Sequence, residues 1–142
     1  MATISKAIAI AAEGFDGFRD KAGEPYIFHC LRVMNSLHTR DEELQQIAML
    51  HDTVEDGIIS LEQLRAEGFS ERVIRAVDLL THREGVPYDD YVKALAHNED
   101  ARIVKLKDLE DNSKITRLKG LTKKDFDRME KYHRSYIYLS KV

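Results

Sequence analysis

The stretch DEELQQIAMLHDTVED, residues 41–56, decides the reading of the fold. Leu44, Ile47, Ala48, Leu50 and Val54 recur at helical steps, which predicts one apolar side of a helix running from Asp41, an acceptable N-cap, to about Glu55. Gly57 is expected to break it. His51 follows Ile47 by four positions and falls on the apolar side; Asp52 follows Ala48 by the same step and borders it. Burying an ionised carboxylate is costly unless it is paired or bound to a cation. The adjacent His51 and Asp52 therefore need a partner from elsewhere in the chain.

Two other segments supply one. Pro25 is suited to open a helix over about Tyr26 to Leu37, with His29 between Tyr26 and Val33 on its inner side. Further on, Ala101, Val104, Asp108, Asp111 and Ile115 follow three- and four-residue steps in a long helix predicted from Glu99 to about Leu118, so Asp108 interrupts an apolar face. Taken singly, such a histidine is usually a core residue bonded to a backbone carbonyl, and such an aspartate is solvated or ion-paired. Together, three helices each turn a potential ligand toward the others, and one shared divalent ion would satisfy His29, His51, Asp52 and Asp108 at once. Two imidazoles and two carboxylates without thiolate exclude a cysteine-type structural zinc site; they suit manganese, iron, cobalt, nickel or zinc.

The residues beside these ligands carry further expectations. Glu55 and Asp56 come one turn after the His-Asp pair and are candidates to position or deprotonate an attacking water. Asn112, four residues after Asp108, can bind a substrate hydroxyl or a base edge. Arg19, Lys21 and Arg32 flank His29 as candidate phosphate contacts, with Arg83 a further one. His38, His82, His97 and His133 lack such company and read as structural or exposed, and Tyr132, Tyr136 and Tyr138 read as core and rim.

The remaining segments are also helical. Ile4, Ala7, Ile8, Ala11 and Phe15 predict a first helix, followed by a loop marked by Gly14, Gly17 and Gly23. Ser60 opens a capping-box helix that stops at Gly68, and Ser70 caps another with Val73, Ile74, Val77, Leu80 and Thr81 inward. Tyr88 to Ala96 is a further helix. Thr122 caps the last, with Phe126, Met129, Tyr132, Tyr136 and Leu139 as its apolar positions. No segment alternates with a period of two, and only 7 glycines and 2 prolines are available for tight turns. The expectation is an all-α, compact single-domain helical bundle over residues 1–142.

A formal charge of −3 argues against a nucleic-acid binder, yet leaves room for a local basic pocket that takes a small phosphate ligand. No apolar run reaches membrane-spanning length, and no signal peptide is recognisable. Cys30 is the sole cysteine, which rules out an internal disulfide and suits the reducing cytoplasm. Oligomeric state is not legible.

Three blocks, DKAGEPYIFHCLRVM at 20–34, AMLHDTVEDG at 48–57 and IVKLKDLEDN at 103–112, resemble the HD superfamily of metal-dependent phosphohydrolases. The likeness is to the hydrolase domains of RelA/SpoT-type alarmone enzymes and their small stand-alone relatives. It implies an all-α bundle in which His29, His51, Asp52 and Asp108 bind one divalent metal, usually manganese. It also implies that Glu55 and Asp56 act on the attacking water, that Asn112 lies in the nucleotide pocket, and that Arg19 or Lys21 lies near the guanine or ribose. The implied reaction is hydrolysis of the 3′-pyrophosphate of guanosine tetra- or pentaphosphate. Hydrolysis of another nucleotide, or a helical binding module without activity, are the alternatives.

Overall fold

The computed structural model describes residues 1–142. Its eight α-helices are α1 (Ile4–Gly14), α2 (Ile27–Ser36), α3 (Glu42–Leu50), α4 (Leu61–Ala66), α5 (Glu71–Leu80), α6 (Tyr88–Leu95), α7 (Glu99–Asn112) and α8 (Lys123–Ser140). A single 3₁₀ turn, Ile115–Arg117, links α7 to α8, and the only β-type pairing is an isolated bridge between Arg19 and Pro25. The all-α expectation holds. No helix is long and apolar enough to cross a membrane.

Six of the eight helix starts follow the sequence closely, because each of these six has a side-chain acceptor for an otherwise unpaired backbone N–H, while α2 and α6 start without one. Thr3, Asp41, Ser70 and Asn98 cap α1, α3, α5 and α7, while Ser60 and Thr122 form capping boxes with Gln63 and Asp125. Arg72 ties three of these starts together. It pairs with Asp41 at 2.7 Å and with Asp100 at 2.9 Å, joining the N-terminal ends of α3, α5 and α7.

Helix α3 lies at the centre, packed on α1, α2, α5 and α7. Leu44, Gln46, Ile47, Ala48, Met49 and Leu50 are all buried, so most of its circumference is covered, as expected of a core helix. The buried Gln46 amide is satisfied by donating to the Ala2 carbonyl at 3.2 Å. Helix α7 packs on α2, α3, α5 and α8 and buries Lys105, Asp108 and Asp111 among its apolar residues.

Three expectations are corrected. Helix α3 ends at Leu50 rather than near Glu55, and residues 51–57 form successive turns. His51 Nδ1 bonds the Ala48 carbonyl at 2.6 Å, and the Thr53 hydroxyl bonds that of Leu50 at 2.7 Å. Side chains thus take over carbonyls of the last turn. Helix α7 ends at Asn112 rather than near Leu118. There the Ser113 hydroxyl bonds the Leu109 carbonyl at 2.6 Å, and the Arg117 guanidinium bonds that of Asp111 at 3.2 Å. Phe126, expected inward, is 59% exposed, since α8 turns its first apolar position away from the bundle.

Candidate metal centre

Each ligand candidate is delivered by a different backbone feature. His29 sits in the first turn of α2, Asp108 in the third turn of α7, and His51 and Asp52 in the turn where α3 stops. One donor atom from each of the four lies within 4.8 Å of every other. Both imidazole Nε2 atoms face the same Asp108 Oδ1, His29 at 2.9 Å and His51 at 3.2 Å. Asp52 Oδ2 lies 3.0 Å from His51 Nε2 and 3.6 Å from His29 Nε2. His29, His51 and Asp108 are buried, and Asp52 is half-buried.

The outer nitrogens fix the tautomers. The Ala48 carbonyl can only accept, so His51 carries a proton on Nδ1. His29 Nδ1 donates to Asp111 Oδ2 at 2.7 Å in the same manner. In the neutral rings this leaves both Nε2 lone pairs directed at the two carboxylates, the tautomer required for metal ligation, with outer partners that hold the rings in place. The donor set fits a divalent ion.

Electrostatics agree. Burial opposes charge on both rings, but Asp108 and Asp111 outweigh it at His29, whose pKa rises to about 9. At His51, burial is outweighed by Asp52 and Asp108, and its pKa is raised well above the ordinary value. Burial likewise opposes the Asp108 carboxylate, yet Lys105 and the two imidazoles hold its pKa well below the ordinary value. Protons on the Nε2 atoms occupy the place that a cation would take.

Around the cluster the structure builds further contacts. The Tyr26 hydroxyl donates to Asp52. Asn112 Nδ2 donates to Asp108 Oδ1 at 3.0 Å, and the buried Lys105 ammonium reaches Asp108 Oδ2 at 2.9 Å. Arg32 grips Asp111 through two bonds of 2.8 and 3.1 Å.

The cluster opens into a cavity of about 470 Å³. The sequence candidates Arg19, Lys21, Arg32, Glu55 and Asn112 all line it. Asp56 and Arg83 do not: Asp56 is exposed, and Arg83 is tied to Asp78 at 2.5 Å. The Asp56 carboxyl is nevertheless pushed up to about 6 by partial burial and by the carboxylates of Asp52 and Glu55. One oxygen of Glu55 accepts the backbone N–H of His82 at 2.7 Å.

Residues that sequence reasoning passed over complete the wall. His82 and Tyr132 line the cavity, as do Lys105, Lys114, Arg117, Arg128 and Lys131. In total eight lysines and arginines face four carboxylates, a local positive excess in a chain of net charge −3. Lys105 had a signal in its three-residue spacing from Asp108. The cations of residues 114–131 had only a basic bias, which an ordinary solvated surface shares.

A helical domain that gathers two histidines and two aspartates beneath a basic cavity defines a class of metal-binding fold. A family model described as an HD domain matches residues 7–132, and the chain belongs to that family. Among curated relatives, guanosine-3′,5′-bis(diphosphate) 3′-pyrophosphohydrolase of Aquifex aeolicus (strain VF5) is 37% identical over 121 residues, covering 78% of this chain and 17% of the relative. GTP pyrophosphokinase of Streptomyces coelicolor is 31% identical over 125 residues, covering 80% of this chain and 15% of the relative. The chain thus spans less than a fifth of the length of these relatives. A solved structure described as a metazoan ortholog of SpoT that hydrolyzes ppGpp superposes with a TM-score of 0.81 at 23% identity, covering 96% of this chain and 84% of the other. That likeness establishes the shared fold.

Proposed function

We propose that the chain is a metal-dependent phosphohydrolase that removes the 3′-pyrophosphate of guanosine 3′,5′-bis(diphosphate) and its pentaphosphate analogue. The observation that carries this reading is the convergence of His29, His51, Asp52 and Asp108 donor atoms, all within 4.8 Å of one another, with His29, Asp52 and Asp108 lining a basic cavity. These four residues would hold one divalent ion, for which manganese, an ion that tolerates carboxylate-rich sites, is the proposed choice. Such an ion supplies a Lewis acid for a phosphoryl oxygen and makes water more acidic.

The chain's own groups do the rest. Glu55 lines the cavity and has one carboxylate oxygen free of the His82 amide, so it orients the attacking water and takes its proton. Asp56, close enough to raise the local negative potential but outside the cavity lining, assists through Glu55. Arg19 and Lys21 bind the nucleotide's phosphates and ribose from the mouth. Asn112 spends one N–H on Asp108 and retains its carbonyl for the nucleotide. Arg32 acts indirectly, because its guanidinium is already engaged by Asp111, which in turn fixes His29. The single thiol, Cys30, is buried and free, in keeping with the cytoplasm as the place of action.

The test is direct. Manganese-loaded protein is offered guanosine tetraphosphate beside a panel of ordinary nucleoside mono-, di- and triphosphates. Release of pyrophosphate and guanosine diphosphate from the first supports the proposal. Turnover of the panel alone assigns a different nucleotide substrate, and metal binding with no turnover assigns a binding module.

A further inference from the structure

The Tyr88 hydroxyl is enclosed by protein yet has no hydrogen-bond partner, although Tyr88 lines the cavity. Leaving a hydroxyl unpaired in this way is unfavourable unless something else accepts its proton. The ring that carries it is held firmly. Tyr91 packs 5.5 Å away at 60°, and His82 meets it edge-on at 5.6 Å. His82 is itself fixed, through its backbone N–H to Glu55 and through Nε2 to the Val86 carbonyl at 2.6 Å.

Two ammonium groups accompany this ring. Lys105 Nζ is 5.5 Å from its centroid and Lys131 Nζ is 4.4 Å away. Lys105 is committed to Asp108. Lys131 is half-buried, has no carboxylate within ion-pair distance, and lies over the rings of Tyr88 and Tyr132. Its charge is disfavoured by burial and then by the neighbouring charges of Lys105, Lys21 and Arg128. A rigid unpaired donor beside an uncompensated cation, in the same cavity wall as the metal cluster, is what a phosphoryl oxygen requires.

We propose that the Tyr88 hydroxyl and the Lys131 ammonium form an anion subsite that takes the distal phosphoryl group of a pyrophosphoryl chain whose proximal phosphoryl lies at the His29–His51–Asp52–Asp108 cluster. The subsite rests on the phosphohydrolase reading above and refines it. It selects a pyrophosphate ester over a monophosphate ester, since only the former carries a second phosphoryl group to occupy it. The Tyr88 O–H donates to a distal phosphoryl oxygen, and Lys131 offsets its charge.

The test is calorimetric titration of the intact, manganese-loaded protein with inorganic pyrophosphate and, separately, with orthophosphate. Tyr88→Phe removes only the hydroxyl, and Lys131→Met keeps most of the apolar stem. Each is expected to weaken pyrophosphate binding by about tenfold, the loss of one charge-assisted bond, while orthophosphate binding changes by less than about threefold on the same scale. The melting temperature of Tyr88→Phe should be unchanged or higher, because no protein partner is lost. Wild-type pyrophosphate affinity in both variants would mean that the hydroxyl is merely hydrated, and the subsite is then absent. Equal losses for pyrophosphate and orthophosphate would also overturn it. A protein that binds pyrophosphate through Tyr88 but leaves guanosine tetraphosphate intact retains the subsite and loses the proposed substrate, so the two readings fail separately.

Discussion

His29 and Asp111 are joined through Nδ1 and Oδ2 at 2.7 Å, and Asp111 lies behind the cluster rather than within it. The same carboxylate is gripped by Arg32 and approached by Arg117 at 3.5 Å. Asp111 thus sets the tautomer and the ring plane of His29, a proposed metal ligand, while its own carboxylate is engaged by Arg32 and His29. Asp111→Asn keeps the shape but weakens the acceptor. Manganese affinity, followed by competition with a chelating dye, should fall by about ten- to a hundredfold, as is usual for outer partners of ligating histidines. Undiminished affinity would show that α2 packing alone orients the ring.

Glu55 and Asp56 are adjacent in sequence but not equivalent in space, because α3 has ended and the turns that follow direct them differently. Only Glu55 lines the cavity. Glu55→Gln should retain the metal and lower kcat by on the order of a hundredfold or more, the usual weight of a general base. Asp56→Asn should lower it by less. Steady-state kinetics with metal content checked by elemental analysis decides the matter, and the reverse order of effects would move the base to Asp56.

Why the His/Asp cluster was legible while the basic cavity wall was not follows from the physics of burial. His29, His51 and Asp108 stood out because polar groups at apolar positions of a helical pattern demand compensation. Lys114, Arg117, Arg128 and Lys131 stood on no apolar face, and only the turn after α7 and the packing of α8 bring them to one cavity. His82 had no pattern at all; its place comes from the loop between α5 and α6. The ends of α3 and α7 were misread for a related reason. No glycine or proline stops either helix at its end, and the stopping agents are the side chains of His51, Thr53, Ser113 and Arg117, whose bonds to carbonyls have no sequence signature.

Gly14 closes α1 against Ile58, in the segment just after the His51–Gly57 turns. A Cβ at this position would run directly into Ile58 Cγ2. Glycine is normally a poor residue at a helix end of ordinary φ, and alanine would be favoured there if space allowed. Gly14→Ala should instead destabilise the fold by about 1–3 kcal/mol, the usual cost of overpacking. Chemical denaturation measures it, and Gly14→Ala combined with Ile58→Val or Ile58→Ala should recover part of the loss. A stabilised single variant would remove the proposed contact.

Metal-free protein should lose stability in a defined pH window. The His29 pKa in the folded chain is raised from the ordinary 6.5 to about 9, the hydrogen bonds to Asp108 and Asp111 outweighing burial. The folded state therefore binds a proton that the unfolded state has released, and this contribution is complete below about pH 6.5 and disappears as pH rises through about 9. His51, also raised, acts in the same direction. Chelated protein should melt progressively lower between these limits, by on the order of 10 °C for a loss of about 3 kcal/mol in a domain of this size. Saturating manganese should flatten that slope, since the cation replaces the Nε2 protons, and binding should release protons measurable as a dependence of calorimetric heat on buffer ionisation. A metal-free protein whose melting temperature is level from pH 6.5 to 9 would mean that the two imidazoles are neutral without the ion, and that the carboxylates facing them are held by Lys105 and Tyr26 alone.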